Sequence, residues 1–468
     1  MEEIKDTELN IGTEEGILNG VIWKKLLLYF FPLLFGTFFQ QLYNTVDTIV
    51  VGRFVGKEAL AAVGGSAAII VGLFLGFFVG IASGATVIIA QYYGAKRDSE
   101  VSRAVHTAIA LAVVGGAICT VIGIASSSYL LVKMQTPLDT MDDSLIYLKI
   151  YFCGMIPNLV YNMGAGIQRA VGDSKRPLYV LIASCFVNIV LDLVFVVVLG
   201  LGVEGVAIAT ILSQAFSAVV VLVMLAMSTG SYRMAWRKLK IEKPMTIRIL
   251  HIGVPAGIQS VMYTISNLLI QIAINSFDTD AVSAWAAYSK IDTIYWMIIG
   301  SLGIAVTTFV GQNYGAGKYD RVKKSVFQGN IISVIFTTAL AIALYAFGDK
   351  MYYLFTTDTE VIRIGTEMLK YLVPFYVTYI LIEILSGALR GMGSSVIPMA
   401  ITLSGVCIFR IIWILAYVPS HHTMITVLES YPLSWSITSV MFLVYYLYFI
   451  KKVGRRMPHD EAGDRMIH

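Results

Sequence analysis

Ser184, Asn188 and Asp192 stand four residues apart in a run of Leu, Ile, Val, Phe and Ala, so on a helix they form one narrow polar stripe. Gln40, Asn44 and Asp47 stand at i, i+4 and i+7 in an earlier apolar run, with Tyr43 beside them. After a break at Leu199-Gly200-Leu201-Gly202, a third run carries Thr210, Ser213 and Gln214. An ionisable side chain inside such a run is costly to hold and marks a functional site by default. Carboxylates with amide and hydroxyl neighbours make an oxygen-rich pocket. Such a pocket can take up a proton, because burial and a like charge both disfavour two free carboxylates. It can equally hold a hard cation, for which carboxylate, amide and hydroxyl oxygens are suitable ligands. The residue types do not separate these two chemistries. The competing readings are structural: an interfacial or merely paired Asp192, and an Asp47 left wet near the outer end of its span.

The elements that position these residues are membrane spans. The chain has 468 residues, 57% hydrophobic and 14% charged, with a mean hydropathy of +0.75. Soluble domains carry about 25% charged residues. The apolar runs exceed the roughly 18 residues that signal a transmembrane helix, and they lack the period-2 alternation of a barrel. The pattern predicts an all-α polytopic membrane protein with twelve spans. Their centres fall near Phe38, Phe77, Val114, Pro157, Ile189, Ala215, Leu268, Ile299, Ile335, Ile380, Ile408 and Phe442. An even count puts both termini on one side. With the termini inside, the inner segments hold Lys24-Lys25, Lys96-Arg97, Lys175-Arg176, the stretch Arg233 to Arg248, and Lys451 to Arg456. The outer loops hold far fewer, among them Arg53, Lys57, Lys133 and Lys350, so the basic bias places both ends in the cytoplasm of a plasma-membrane protein. Residues Met1 to Gly20 show no signal-peptide pattern. The basic stretch reads as a cytoplasmic loop beside anionic lipid, not as a nucleic-acid site.

The chain also repeats itself. Gln91-Tyr92-Tyr93-Gly94-Ala95 returns as Gln312-Asn313-Tyr314-Gly315-Ala316, and Arg169, Gly172, Ser174 and Pro177 return as Arg390, Gly393, Ser395 and Pro398. Both echoes fall at an offset of 221 residues, in cytoplasmic turns of equivalent order. The reading is two six-helix lobes related by a pseudo-two-fold axis along the membrane normal, around a central cleft. The expected division is a cytoplasmic tail over 1–20, an N-lobe over 21–227, a basic linker over 228–248, a C-lobe over 249–450 and a tail over 451–468.

The lobes differ in their buried polar groups. At the repeat offset Asn188 meets Phe409 and Asp192 meets Trp413, so the Asn/Asp stripe belongs to the first half alone. The second half has Asp292, Glu383 and Arg410, expected to form structural salt bridges. It also has Trp285, Trp296, Trp413 and Trp435, expected as interfacial anchors or as lining for aromatic cations. Gly72, Gly76, Gly80 and Gly84 recur every four residues, a small-residue stripe for close helix packing. Cys119, Cys153, Cys185 and Cys407 lie in apolar runs without CxxC spacing and read as small buried hydrophobes. The histidines are too scattered for a metal site.

The motifs in order resemble the multidrug and toxic compound extrusion (MATE) transporters. Pro32, Gln40, Val46-Asp47-Thr48-Ile49 and Val51-Gly52, then Leu60-Ala61-Ala62-Val63-Gly64, resemble that family's first span and loop. Gln91 to Ala95, Gln312 to Gly317 and Leu389-Arg390-Gly391-Met392-Gly393 resemble its cytoplasmic turns. Asn188, Asp192, Leu201 to Ala207 and Thr210 resemble its fifth and sixth spans. The resemblance covers nearly the whole chain. It implies twelve helices in two lobes with a V-shaped cleft, and cation-coupled drug efflux. It carries a cation site over to Asp47, Asn188, Asp192 and Thr210, and it places Tyr43 and Asn162 near that site. Gln40, Tyr43, Asn44 and Asn162 are the candidate cleft-lining residues. The NorM-like branch carries acids at positions that are Tyr263 and Tyr379 here, so the sequence is more similar to the DinF-like branch.

The expected function is a monomeric secondary antiporter that exports amphipathic, cationic drug-like compounds in exchange for Na+ or H+, with no other cofactor. The nearest rival is a flippase for lipid-linked saccharides, whose cleft would need strong positive charge. An intramembrane enzyme would need an HExxH, paired-acid or serine–histidine arrangement, and none stands in the chain. A channel would not need so lopsided a distribution of polar groups.

Overall fold

The structure, a computed structural model, describes residues 16–456. Every regular element among them is helical. Eleven helical stretches are long and apolar enough to cross a membrane. The helices α5 (Leu138–Cys153) and α6 (Met155–Ala170), bent by 51° at Gly154, supply the twelfth span. All twelve expected centres fall within these spans. One difference lies just beyond the first span. The stretch from Leu60 to Gly64, read as a loop, is instead helical: α2 covers Lys57–Gly64. It is rich in alanine, which favours helix once the backbone can bond to itself.

The described chain forms two compact units. One comprises Leu28–Val261 with residues 16–17; the other comprises Leu18–Leu27 with residues 262–456. Helix α9 (Lys243–Ile274) is therefore shared, its first part packing within the first unit. There it meets α3 (Ser66–Gly94) across the glycine stripe. A Cβ on Gly80 would come within 2.2 Å of the Gly257 nitrogen, and one on Gly84 within 2.4 Å of the Ile249 carbonyl oxygen. Gly76 faces Ser260 in the same seam, whereas Gly72 has nothing within 4 Å. Small residues here let two backbones touch, the main attraction left to helices immersed in apolar lipid.

The two echoed turns have the same backbone in both units. Helix α3 ends with Lys96 N–H donating to the Tyr93 carbonyl and Arg97 N–H to that of Tyr92. Helix α10 (Thr279–Gly315) ends with Gly317 donating to Tyr314 and Lys318 to Asn313. Both are Schellman closures, which need a left-handed residue. Gly317 supplies it at φ 70°, and Lys96 at φ 55°. The second echo repeats in the same way, with Gly172 at φ 96° and Gly393 at φ 87°.

The side chains are sorted for a lipid exterior. On α8 (Gly202–Met227), Leu212, Phe216, Val219 and Val223 are exposed while Thr210, Ser213, Gln214 and Ser217 are buried. In a bilayer the apolar face turns outward and the polar face needs partners inside. Cys119, Cys185 and Cys407 are buried as expected; Cys153 is exposed, because it closes α5 at the bend.

Candidate functional site

The polar stripe of the fifth span lies on α7 (Lys175–Asp192), and Ser184, Asn188 and Asp192 are all buried on one face. Ser184 Oγ donates to the Ser213 carbonyl at 3.0 Å and ties α7 to α8. This sets Asn188 and Asp192 in register with Thr210 one turn before Ser213. Asp47 comes from α1 (Ile22–Val50), and the Thr210 hydroxyl lies 3.4 Å from its Oδ2. Asp192 and Asn188 stand beside the Asp47 carboxyl group. The fold thus brings Asp47, Asn188, Asp192 and Thr210 together inside the first unit.

The helices open locally where the acids sit. A π-helical segment, Val51–Val55, follows the Asp47 helix, and another, Leu193–Val198, begins directly after Asp192. The two segments pack on each other and on α8. A π turn shifts the i→i−4 ladder by one residue, and such turns are frequent at functional sites. Here they redirect the chain immediately beyond each buried acid.

The polar atoms of this cluster are largely unpaired. Asp47 Oδ1, both carboxylate oxygens of Asp192 and both amide atoms of Asn188 are buried with no hydrogen-bond partner among the described residues. Thr210 Oγ1 does bond, donating to the Val206 carbonyl at 2.9 Å, and Ser213 Oγ donates to the Thr210 carbonyl at 2.8 Å. Native proteins leave few buried polar groups unsatisfied, so a cluster of five such atoms calls for a guest. The donor set suits a hard monovalent cation: two carboxylates, an amide oxygen and a hydroxyl, with negative charge to be balanced. It suits a proton shared between the acids as well.

The remaining candidates divide. Tyr43, one turn before Asp47, is half-buried on the Asp47 side, while Gln40 and Asn44 are exposed. Along the expected Gln40–Asn44–Asp47 face, neighbouring helices therefore cover only the Asp47 end. Asn162 on α6 is half-buried and spends its amide on Asn158, at 2.9 Å to the carbonyl and 3.0 Å to Oδ1. Two site neighbours escaped the sequence reading. Tyr147 and Tyr151, one turn apart on α5, are buried near the carboxylates, and Gln214 donates to the Tyr151 hydroxyl at 3.4 Å. Their i, i+4 spacing was the available signal, masked by the charged start of that helix.

In the second unit the expected salt bridges do not form. Asp292, in the first half of α10, accepts hydrogen bonds from the hydroxyls of Tyr376 at 2.5 Å and Tyr288 at 3.3 Å and from Trp296 Nε1 at 2.6 Å. Arg410 has no carboxylate within 4.0 Å among the described residues; it stacks on Tyr431 and Trp435 instead. Trp285 and Trp435 are buried in this aromatic cluster and are not interfacial anchors. Tyr263 and Tyr379 bond to each other, 3.2 Å between hydroxyl oxygens. No group of three or more His, Cys, Asp or Glu placed to hold a metal exists among the described residues.

Apolar spans closed around a buried polar interior define a multi-pass α-helical membrane protein. The sequence model of the MatE family matches residues 32–194 and again residues 255–418, one copy for each half of the chain. The chain belongs to the MatE family of transporters. It is 29% identical over 443 residues to the probable multidrug resistance protein YoeA of Bacillus subtilis, covering 92% of this chain and 95% of that one. It is 25% identical over 398 residues to the probable multidrug resistance protein NorM of Thermotoga maritima, covering 83% and 84%. Among solved structures, a MOP superfamily transporter from Pyrococcus furiosus shares the fold at a TM-score of 0.87 and 20% identity, over 94% of this chain and 99% of that one. An outward-facing multidrug resistance MATE transporter gives 0.87 and 21%, over 95% and 99%.

Proposed function

We propose that this protein is a secondary antiporter of the plasma membrane that exports amphipathic, cationic organic compounds in exchange for Na+ or H+ by alternating access. Its termini face the cytoplasm, and it works as a monomer. The observation that carries the reading is the convergence of Asp47, Asn188, Asp192 and Thr210 with five buried, unpaired polar atoms among them. Asp47 and Asp192 would supply charge to the coupling ion, and Asn188 and Thr210 would complete its oxygen shell or hold the acids in place. Tyr43, Tyr147 and Tyr151 bound the site and keep water from replacing the ion. The names of the relatives, probable multidrug resistance proteins, support drug-like cargo. A nucleotide-driven pump is disfavoured by the absence of a GxxxxGK[ST] loop from the sequence.

Everted membrane vesicles containing the protein test this directly. An imposed Na+ or H+ gradient should drive uptake of a lipophilic cationic dye, and collapsing that gradient should stop it. Uptake that persists without either gradient and requires ATP would sink the antiporter reading.

A further inference from the structure

Arg410 lies in the eleventh span on α15 (Phe409–Ile412), between the π-helical segments Leu403–Ile408 and Trp413–Tyr417. A guanidinium does not deprotonate in proteins, so its charge stays in the apolar span. The residue is only 3% exposed. Its compensation is partial. The guanidinium sits 4.1 Å over the Tyr431 ring and 5.7 Å from that of Trp435, and Nε donates to Ser434 Oγ at 2.9 Å. The two terminal nitrogens carry four further N–H groups, which find no acceptor among the described residues. Asp292 belongs to the same cluster, but its oxygens are already committed to Tyr376, Tyr288 and Trp296. Trp296 is 36% exposed, and Tyr431 and Asp292 are half-buried, so the cluster reaches the surface of the second unit.

A fork of free donors lying on aromatic faces has the shape of a planar carboxylate's partner. The rings beside it offer a flat apolar body its stacking surface. We propose that Arg410 forms an oxyanion subsite in the second unit, taking the carboxylate of an aromatic substrate whose ring stacks on the accessible sides of Trp296 and Tyr431, with the buried Trp435 backing them. The export role of this subsite rests on the transporter reading above. On that reading the cargo includes aromatic carboxylates and zwitterions besides cations, with Asp292 fixing the Trp296 wall.

Tryptophan fluorescence of the purified full-length protein in detergent, titrated with 2-naphthoate, its neutral isostere 2-naphthamide and a short-chain phosphatidate, tests the assignment. Naphthoate should bind at least about tenfold more tightly than naphthamide, because an analogue that leaves buried donors unpaired is rejected. Arg410→Gln should erase that preference and Arg410→Lys should retain only part of it, since a point charge lacks the fork. Should Arg410→Gln not fold, Ser434→Ala keeps the charge, loosens the guanidinium and should cut the preference about threefold. Equal binding of naphthoate and naphthamide, or a preference untouched by these substitutions, overturns the subsite. Phosphatidate binding more tightly than naphthoate, and lost in Arg410→Gln, overturns the carboxylate class in favour of a lipid phosphate. The titration needs no gradient. Failure of dye transport in vesicles with naphthoate selectivity intact removes only the transport reading, and the converse removes only the subsite.

Discussion

Asp192 and Asn188 bring four buried polar atoms with no hydrogen-bond partner among the described residues up against the Asp47 carboxyl, which accepts from Thr210. An unpaired buried carboxylate stands at a cost to the fold, so its presence points to a task that stability alone would not select. Asp192→Asn keeps the shape and removes the charge. Gradient-driven efflux should fall at least about tenfold, while the protein inserts normally and its detergent melting temperature holds or rises, because a neutral amide is easier to bury. Asp47→Asn should behave alike. Glu383→Gln should change efflux less than about threefold, since Glu383 lies in the other unit, packed across Gly303. Vesicle flux beside a thermal scan reads both outcomes. Loss of transport in Glu383→Gln with gradient dependence intact in Asp192→Asn would reverse the assignment.

At the scale of helices, the seam between α3 and α9 depends on the absence of side chains. Gly80→Val would drive a Cβ into the Gly257 backbone, which cannot rotate away, and should destabilise the protein by about 1–3 kcal/mol or more. Gly72→Ala, on the same helix and stripe, meets nothing within 4 Å and should be silent. Detergent melting temperatures of the pair separate a packing seam from mere tolerance of small residues: equal losses would refute it. The π-helical segments belong to this scale also. Leu193–Val198 in the first unit and Trp413–Tyr417 in the second stand at nearly the repeat offset, although Asp192 and Trp413 share no chemistry. The backbone device recurs in both units, with Asp192 beside it in the first and Arg410 in the second.

For the whole molecule, the testable statement is which loops face which side of the membrane. Cys153 is exposed, so a Cys153→Ser background is required first. In it, Thr279→Cys at the start of α10 should react with an impermeant maleimide from outside the cell, and Lys240→Cys only after permeabilisation; both positions are exposed. The opposite pattern would overturn the orientation. The segment around Lys240 is docked on the first unit. His106 Nε2 accepts from the Ala235 N–H at 2.9 Å, Thr107 donates to the Lys240 carbonyl at 3.2 Å and Arg103 pairs with Glu242 at 2.6 Å. The basic loop is therefore a fitted part of its unit.

Hydropathy and the internal repeat carried most of the fold, because a bilayer admits almost nothing but long apolar helices and because duplicated turns keep their glycines. Span number, the glycine seam and the Ser184–Asn188–Asp192 stripe all follow from local spacing along single helices, which a sequence displays directly. What lies between helices does not. Gln40, Asn44 and Asp47 share one face of a helix by spacing, and it is packing across the bundle that buries Asp47 against Thr210 and leaves Gln40 and Asn44 exposed. Tyr147 and Tyr151 joined the site because α5 and α6 bend at Gly154, a break that composition left inside one span. Arg410 was expected beside an acid, since charge alone suggests a salt bridge. The structure gave Asp292 to Tyr376, Tyr288 and Trp296 and left the guanidinium on Tyr431 and Trp435. Which of several possible partners a buried group takes depends on distances across the bundle, and those are set by the tertiary structure alone.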